Sequence, residues 1–298
     1  MRLFLPSLGL FALCVLGAAD ARATPGSPPP VNTQQPVDAP QSPAQPVHIA
    51  PHRAIYTMTL ASVKNGSNIT DVSGRMLFEW RDVCDGWAIQ QHMQLHFTYT
   101  EGEDQDITST ELTWEAKDGK SYNFNVRRIT DGNETENYRG KATQKADGSV
   151  SVTYSTPAGK TAELPAGTLF PSAHTTLILQ KAAQMQTGGE KLFTRRVFDG
   201  SDKDGSSDIS AFVMPQRSID EATGIDSKLK KSPLLAPAAW PVHMAFFNID
   251  AAGGEPDYEM DLTLLPNGIA RHMKIDYGDF SVIGNLSDVE SLPAQNCP

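Results

Sequence analysis

The stretch that decides the fold is "WAIQQHMQLHFTY", residues 87–99. Trp87, Ile89, Met93, Leu95, Phe97 and Tyr99 share one parity, with Gln91 as the only polar member. The other parity carries Ala88, Gln90, His92, Gln94, His96 and Thr98. Alternation of period two is the signature of a strand with one buried and one wet face, the pattern of an antiparallel sheet over a single core. Thirteen extended residues reach about 43 Å. Strands of that length must twist and curl, so the pattern predicts a long sheet wound into a spiral, a cup or an open barrel.

The same alternation groups Met76, Phe78 and Trp80; Tyr122, Phe124 and Val126; Val150, Val152 and Tyr154; Tyr258, Met260, Leu262 and Leu264; and Ile269, Met273, Ile275 and Tyr277. Between these faces recur Asn-Gly and Asp-Gly pairs, at 65–66, 85–86, 118–119, 131–132, 147–148, 199–200, 204–205 and 267–268. Such pairs favour hairpin turns that need positive φ. The fold class is therefore all-β and mainly antiparallel. One amphipathic helix interrupts it, "FPSAHTTLILQKAAQMQTGG". Ser172 is placed to cap it, Leu177, Ile178, Leu179, Ala182, Ala183 and Met185 give it apolar surface, and Gly188-Gly189 ends it. Its position near the middle of the β region predicts that it closes or plugs the curved sheet. Residues 217–238 lack a period and read as a loop with short helical turns.

The amino terminus, "MRLFLPSLGLFALCVLGAADARA", has a charged start, an apolar run of about fifteen residues and an Ala-x-Ala-like end, the three parts of a signal peptide cleaved after Ala23. The run is short for a membrane span of about twenty residues. Cys14 lies inside it, with apolar residues on both sides, and belongs to the discarded peptide. Residues 24–47 carry eight prolines and no aromatic residue, the composition of a semi-rigid spacer. A single domain is expected over 48–298.

Removing Arg2, Asp20 and Arg22 with the signal leaves 23 basic and 34 acidic residues, a net charge of −11. That balance argues against nucleic acid as a partner and against attraction to anionic lipid. No long apolar segment follows the signal, so no transmembrane segment is expected in the mature chain. It keeps two cysteines, Cys84 and Cys297. An even count in an exported chain predicts a disulfide, with intermolecular pairing as the alternative. An intramolecular bridge would close a loop of 213 sequence steps, worth about 5 kcal/mol in the chain-entropy account.

Motifs for chemistry are scarce, and no catalytic residue, metal ligand or cofactor is expected. No Gly-x-Ser-x-Gly, no phosphate-binding glycine loop and no Cys-x-x-Cys occurs. Ser172 and His174 stand two apart on a predicted helix and so point away from one another. His92 and His96 share a strand face about 13 Å apart, too far for one zinc ion. In "DGSDKDGSSD" the first and twelfth ligand positions of a calcium loop would be Gly200 and Ala211, so that pattern fails. "TEGEDQD", residues 100–106, reads as a solvated loop.

Several stretches together resemble the EipB family of cell-envelope integrity proteins, periplasmic proteins of Gram-negative bacteria. They are "APHRAIYTMTL", "WRDVCDGWAIQQ", "LPAGTLFPSAHT", "WPVHMAFF", "YEMDLTLLPNGIARHMKIDYGDFSVIGNL" and the terminal Cys297. The resemblance implies a long antiparallel sheet wound into a spiral or cup, similar to periplasmic proteins that handle or sense lipoproteins. It also implies a disulfide between Cys84 and Cys297, a periplasmic location and a tetratricopeptide-repeat protein as partner. No catalytic residues come with it. The function expected is non-enzymatic maintenance of the envelope, by binding a protein, lipoprotein or lipid in a curved apolar pocket. The alternative is a scaffold whose partners dock on its surface.

Overall fold

The strands cover His52–Val63 (β1), Ile69–Asp82 (β2), Gly86–Tyr99 (β3), Gln105–Ala116 (β4), Ser121–Thr130 (β5), Asn133–Gln144 (β6), Val150–Thr156 (β7) and Thr161–Leu164 (β8). After the helix Pro171–Gln184 (α1) come Leu192–Phe198 (β9), Ser206–Val213 (β10), Trp240–Asn248 (β11), Tyr258–Leu264 (β12), Ala270–Asp276 (β13) and Phe280–Ser291 (β14). This computed structural model describes residues 47–185, 188–201, 206–220, 225–248, 254–293, 295 and 297. The expected cleavage after Ala23 and residues 24–46 of the expected spacer lie outside the described residues.

All fourteen strands join one antiparallel sheet in the order β8-β7-β6-β5-β4-β3-β2-β1-β14-β13-β12-β11-β10-β9. Two meanders, β1–β8 and β9–β14, thus meet through the pairing of the first strand with the last. Its register runs from His52 opposite Ser291 to Val63 opposite Phe280. The edges are β8 and β9, and among the described residues no ladder joins them, so the sheet is an open spiral. The free side of β9 is instead covered by the connection leading into α1. The Leu169 amide donates to the Arg196 carbonyl, and the Phe198 amide to the Leu169 carbonyl, both at 2.9 Å. Covering an edge in this way removes a template for further strand pairing.

The alternating faces fall as the period predicts. Met93, Leu95 and Phe97 are buried, as are Met76 and Trp80, the Tyr122-Phe124-Val126 face and the Val150-Val152-Tyr154 face. Three apolar clusters line the concave side. One joins β1–β4 and β14 to the segment with short 3-10 turns at Leu229–Lys231 and Pro233–Leu235. The second joins α1 to β9–β13, and the third joins β5–β7 to Phe170 and Phe198. On the Ile269–Tyr277 face the structure adds Arg271, only 1% exposed, whose guanidinium donates to the Pro237 carbonyl at 2.6 Å.

Three local expectations are corrected. Ser172 does not cap α1. Phe170 is the N-cap residue and Pro171 opens the helix, a position where the missing amide hydrogen is harmless. The orphan amides of Ser172 and Ala173 donate instead to the Glu115 carboxylate of β4, at 2.7 and 2.8 Å. On the helix, Ile178, Leu179 and Ala182 are buried, whereas Leu177 and Met185 are half-buried and Ala183 is exposed. At 85–86 the positive φ belongs to Cys84 (68°) rather than to the glycine. Gly86 is needed for another reason: a Cβ there would sit 2.4 Å from the Trp114 indole nitrogen. The Asp131-Gly132 pair does what its sequence predicts, with φ of 51° and 78°.

Candidate functional site

Between the concave face of the sheet and α1 lies a cavity of about 220 Å³. Its walls come from β2–β5, α1 and β9–β12, so no single hairpin builds it and the winding of the sheet does. Phe78, Ile89, Ile178, Ile209, Phe246 and Leu262 form much of the apolar lining. The pocket is smaller and more polar than a purely apolar reading of the sheet suggests. Gln91 and Glu111 stand directly opposite one another on β3 and β4, and His174 reaches the same cavity from α1.

The electrostatics follow from burial. Desolvation raises the Glu111 carboxyl, opposed by the Arg128 guanidinium. Arg128 is itself pulled down by burial and held by Glu136, at 3.0 Å. His174 is pushed down to about 4, first by burial and then by the Arg195 charge, so its ring is neutral at pH 7. Glu115, just beyond the wall, is raised to about 7 by burial, against the opposing pull of the Ser172 and Ala173 amides. Tyr122 donates to the Asp199 carbonyl at 2.9 Å and is held well above its ordinary pKa by burial. This bond fastens the end of β9 to β5 across the spiral.

Among the described residues, Ser172 and His174 do not form a nucleophile–base pair. His174 Nε2 has no hydrogen-bond partner, so it is not bonded to Ser172. Nor do the strand histidines converge. His92 pairs with Thr110 at 2.9 Å, while His96 pairs with Asp106 at 2.9 Å and Asp104 at 3.4 Å. Among the described residues no group of three or more His, Cys, Asp or Glu is placed to hold a metal ion. In "DGSDKDGSSD", Asp199 Oδ1 is taken by the amide and hydroxyl of Ser201, at 2.9 and 2.6 Å.

The sulfurs of Cys84 and Cys297 lie at bonding distance, 2.15 Å, with Cα atoms 5.5 Å apart. Cys84 sits in the β2–β3 turn, where its amide donates to Asp82 Oδ1 at 3.0 Å. The tail reaching it leaves β14 with one more backbone bond, from the Leu292 amide to the Pro51 carbonyl at 2.9 Å. No described helix is long and apolar enough to cross a membrane.

The profile of one protein family, described as EipB-like, matches residues 43–293. The chain belongs to the EipB-like family. It is 31% identical over 249 residues to the cell envelope integrity protein EipB of Brucella abortus, covering 82% of this chain and 85% of that relative. A crystal structure of a β-barrel-like protein of a domain of unknown function, also from Brucella abortus, superposes with a TM-score of 0.74 at 28% identity. It covers 83% of this chain and all of that one. EipB-like membership thus rests on most of the chain, the whole wall of the cavity included.

Three inward polar positions of this EipB-like chain escape a reading of hydrophobic pattern. On β4, Ser109 and Glu115 are buried and Glu111 turns inward, while Leu112 is 41% exposed. Ile107 marks that buried face, but Leu112 and Trp114 mark the other one. Only Gln91, as the polar exception in an apolar row, could have signalled that the wall carries hydrogen-bonding groups.

Proposed function

We propose that this chain is an exported, non-enzymatic periplasmic protein that maintains cell-envelope integrity by holding the apolar part of a lipid, lipoprotein or protein partner. The observation that carries the reading is the cavity of about 220 Å³ between the concave sheet and α1, since ligand sites are concave, largely apolar and few per protein. Family membership supports the envelope role, because a relative 31% identical is named for it. In this reading the signal is removed after Ala23, residues 24–47 tether one folded domain over 48–298, and the Cys84–Cys297 bond forms on export. A tetratricopeptide-repeat protein of the same compartment is the protein partner that the family resemblance implies.

The test is recovery of the mature protein from the envelope, with mass spectrometry of whatever lipid or protein accompanies it, beside a deletion strain. Bound lipid or a defined envelope protein, together with heightened sensitivity to detergents, is the expected result. Recovery of neither, with unchanged sensitivity, overturns the proposal.

One observation favours docking at the surface instead. Leu192 and Phe212, directly paired on β9 and β10, are 58% and 40% exposed. If Leu192→Ser with Phe212→Ser abolished partner recovery while the cavity stayed functional, the scaffold reading would replace the first.

A further inference from the structure

Four buried polar atoms on residues that line the cavity have no hydrogen-bond partner: Trp80 Nε1, Gln91 Nε2, Glu111 Oε1 and His174 Nε2. Their residues lie close together in the fold. Phe78, Gln91, Glu111 and Val126 form one cross-strand row over β2–β5, and opposed side chains in such a row stand about 5 Å apart. Trp80 is on the same face of β2 as Phe78, and His174 faces the row from α1. Gln91 and His174 are 8% and 5% exposed. Unpaired buried polar atoms are uncommon in folded proteins and call for an explanation each time. Four around one cavity share one.

Water does not supply it well. At about 30 Å³ per molecule, a volume of 220 Å³ would take roughly seven waters, each wanting two to four polar partners. The wall between these four atoms is mostly aliphatic and aromatic, so most of seven waters would lack those partners. The hydrogen-bonding inventory is also one-sided. Trp80 Nε1 and Gln91 Nε2 can only donate, the neutral His174 ring donates from Nε2 in one of its two tautomers, and burial favours the neutral, donating form of the Glu111 carboxyl. What is missing is an acceptor oxygen. Among the described residues, the one cation beside the wall, Arg128, is already paired with Glu136, so no cationic group is left for an anionic head, and Glu111 is the only carboxyl facing it besides.

We propose that the cavity binds an uncharged amphiphile, an aliphatic chain ending in an ester or amide carbonyl, with the carbonyl oxygen accepting from Gln91 and His174. This rests on the reading of the cavity as a ligand site and names the chemistry it selects. The space takes about seven methylene-sized groups, by the same 30 Å³ measure, so a chain near eight carbons fills it without remodelling α1.

The experiment is a methyl NMR titration of the delipidated mature protein, read at Ile178, Ile209 and Leu262. The probes are glyceryl monooctanoate, octanoate, octylammonium and octane. The ester is expected to shift these methyls and to bind about tenfold or more tighter than either charged probe. Gln91→Leu removes one donor and fills its space with carbon. It is expected to weaken the ester about fivefold to tenfold, as loss of one hydrogen bond would, while octane binds as before and the melting temperature does not fall. Gln91→Met, closer in shape, serves the same test if the leucine variant misfolds. Octane binding as tightly as the ester, or an ester indifferent to Gln91, overturns this inference and leaves the cavity as an unselective apolar site. Silence from all four probes overturns both readings.

Discussion

The contact between Glu115 and the start of α1 sets two terms against each other, and pH separates them. Two backbone amides donate to the carboxylate, at 2.7 and 2.8 Å, and the helix N-terminus favours negative charge. Burial opposes the charge and prevails, so the carboxyl is raised from 4.5 to about 7. A carboxyl raised on folding adds stability that is complete below pH 4.5 and is lost as pH rises through 7. With about 1.4 kcal/mol per tenfold change in proton affinity, the linked change across that window is about 3 kcal/mol. Glu115→Gln keeps one acceptor oxygen, never ionises and opposes an NH2 to the second amide. Urea unfolding of both proteins from pH 4.5 to 8 isolates the effect, because every other group titrates alike in the two. The advantage of the natural protein over Glu115→Gln should shrink by about 3 kcal/mol between pH 4.5 and 7. An advantage that grows with pH would refute the reasoning, since it would mean that the amides and helix end outweigh burial. Glu115→Ala strands both amides and should cost about 2–6 kcal/mol at pH 4.5, at about 1–3 kcal/mol for each buried unpaired group, with the same shrinkage toward pH 7.

His174 has the opposite sign. Its ring is lowered from 6.5 to about 4 by burial, so stability is complete above pH 6.5 and falls by about 3 kcal/mol as pH drops to 4; acid unfolding of His174→Gln should lack this loss. Gly86→Ala would put a Cβ 2.4 Å from the Trp114 indole and 2.8 Å from the Glu115 carbonyl oxygen. It should cost about 1–3 kcal/mol as overpacking, read as an earlier urea midpoint with an unchanged slope. Cys84→Ser, or reduction, should lower the melting temperature by about 10–20 °C, from about 5 kcal/mol of loop entropy at about 2–4 °C per kcal/mol. It should also slow refolding about tenfold. Free thiols in oxidised native protein would refute the bridge.

How much of this was legible depends on whether local pattern or long-range pairing fixed the feature. β3 reads correctly because its buried parity is apolar at six of seven positions, and its neighbours repeat the pattern. Turn chemistry placed most hairpins for an equally local reason, namely the low steric cost of positive φ at glycine. The winding itself was expected from strand length. The strand order was not, because nothing near residue 52 says that it pairs with residue 291. The helix cap shows the limit most plainly. Ser172 has the right type and place to cap α1, yet a carboxylate 57 residues earlier in the chain takes the role. β4 conceals that carboxylate behind an inverted pattern, with Leu112 outside and Glu115 inside. Polar groups that cap a helix or line a cavity answer to the tertiary environment, and period-two reading assigns them to solvent.

The pairing of β1 with β14 explains why a thiol is useful a few residues after β14. It joins residues up to 239 steps apart, His52 with Ser291, and each such contact must first meet the entropy of closing its loop. Side chains add little at this seam. Arg53 of β1 reaches Glu79 of β2 and Glu290 of β14, but Arg53 is 38% and Glu290 56% exposed, and exposed ion pairs contribute about 0–1 kcal/mol. With Cys84 bonded to Cys297, the path from His52 to Ser291 becomes 32 steps to Cys84, the bond itself, and six steps back. Loop entropy grows as about 1.5RT ln n, so shortening the path from 239 to about 39 steps removes about 1.6 kcal/mol from the closing step. If β1–β14 pairing forms in the transition state, that is a refolding rate about tenfold higher for the oxidised chain. Stopped-flow refolding of oxidised and reduced protein, in the same final urea, measures it. Equal refolding rates with a faster unfolding limb for the reduced protein would place the seam after the barrier, leaving the bond as a clasp on the finished spiral alone.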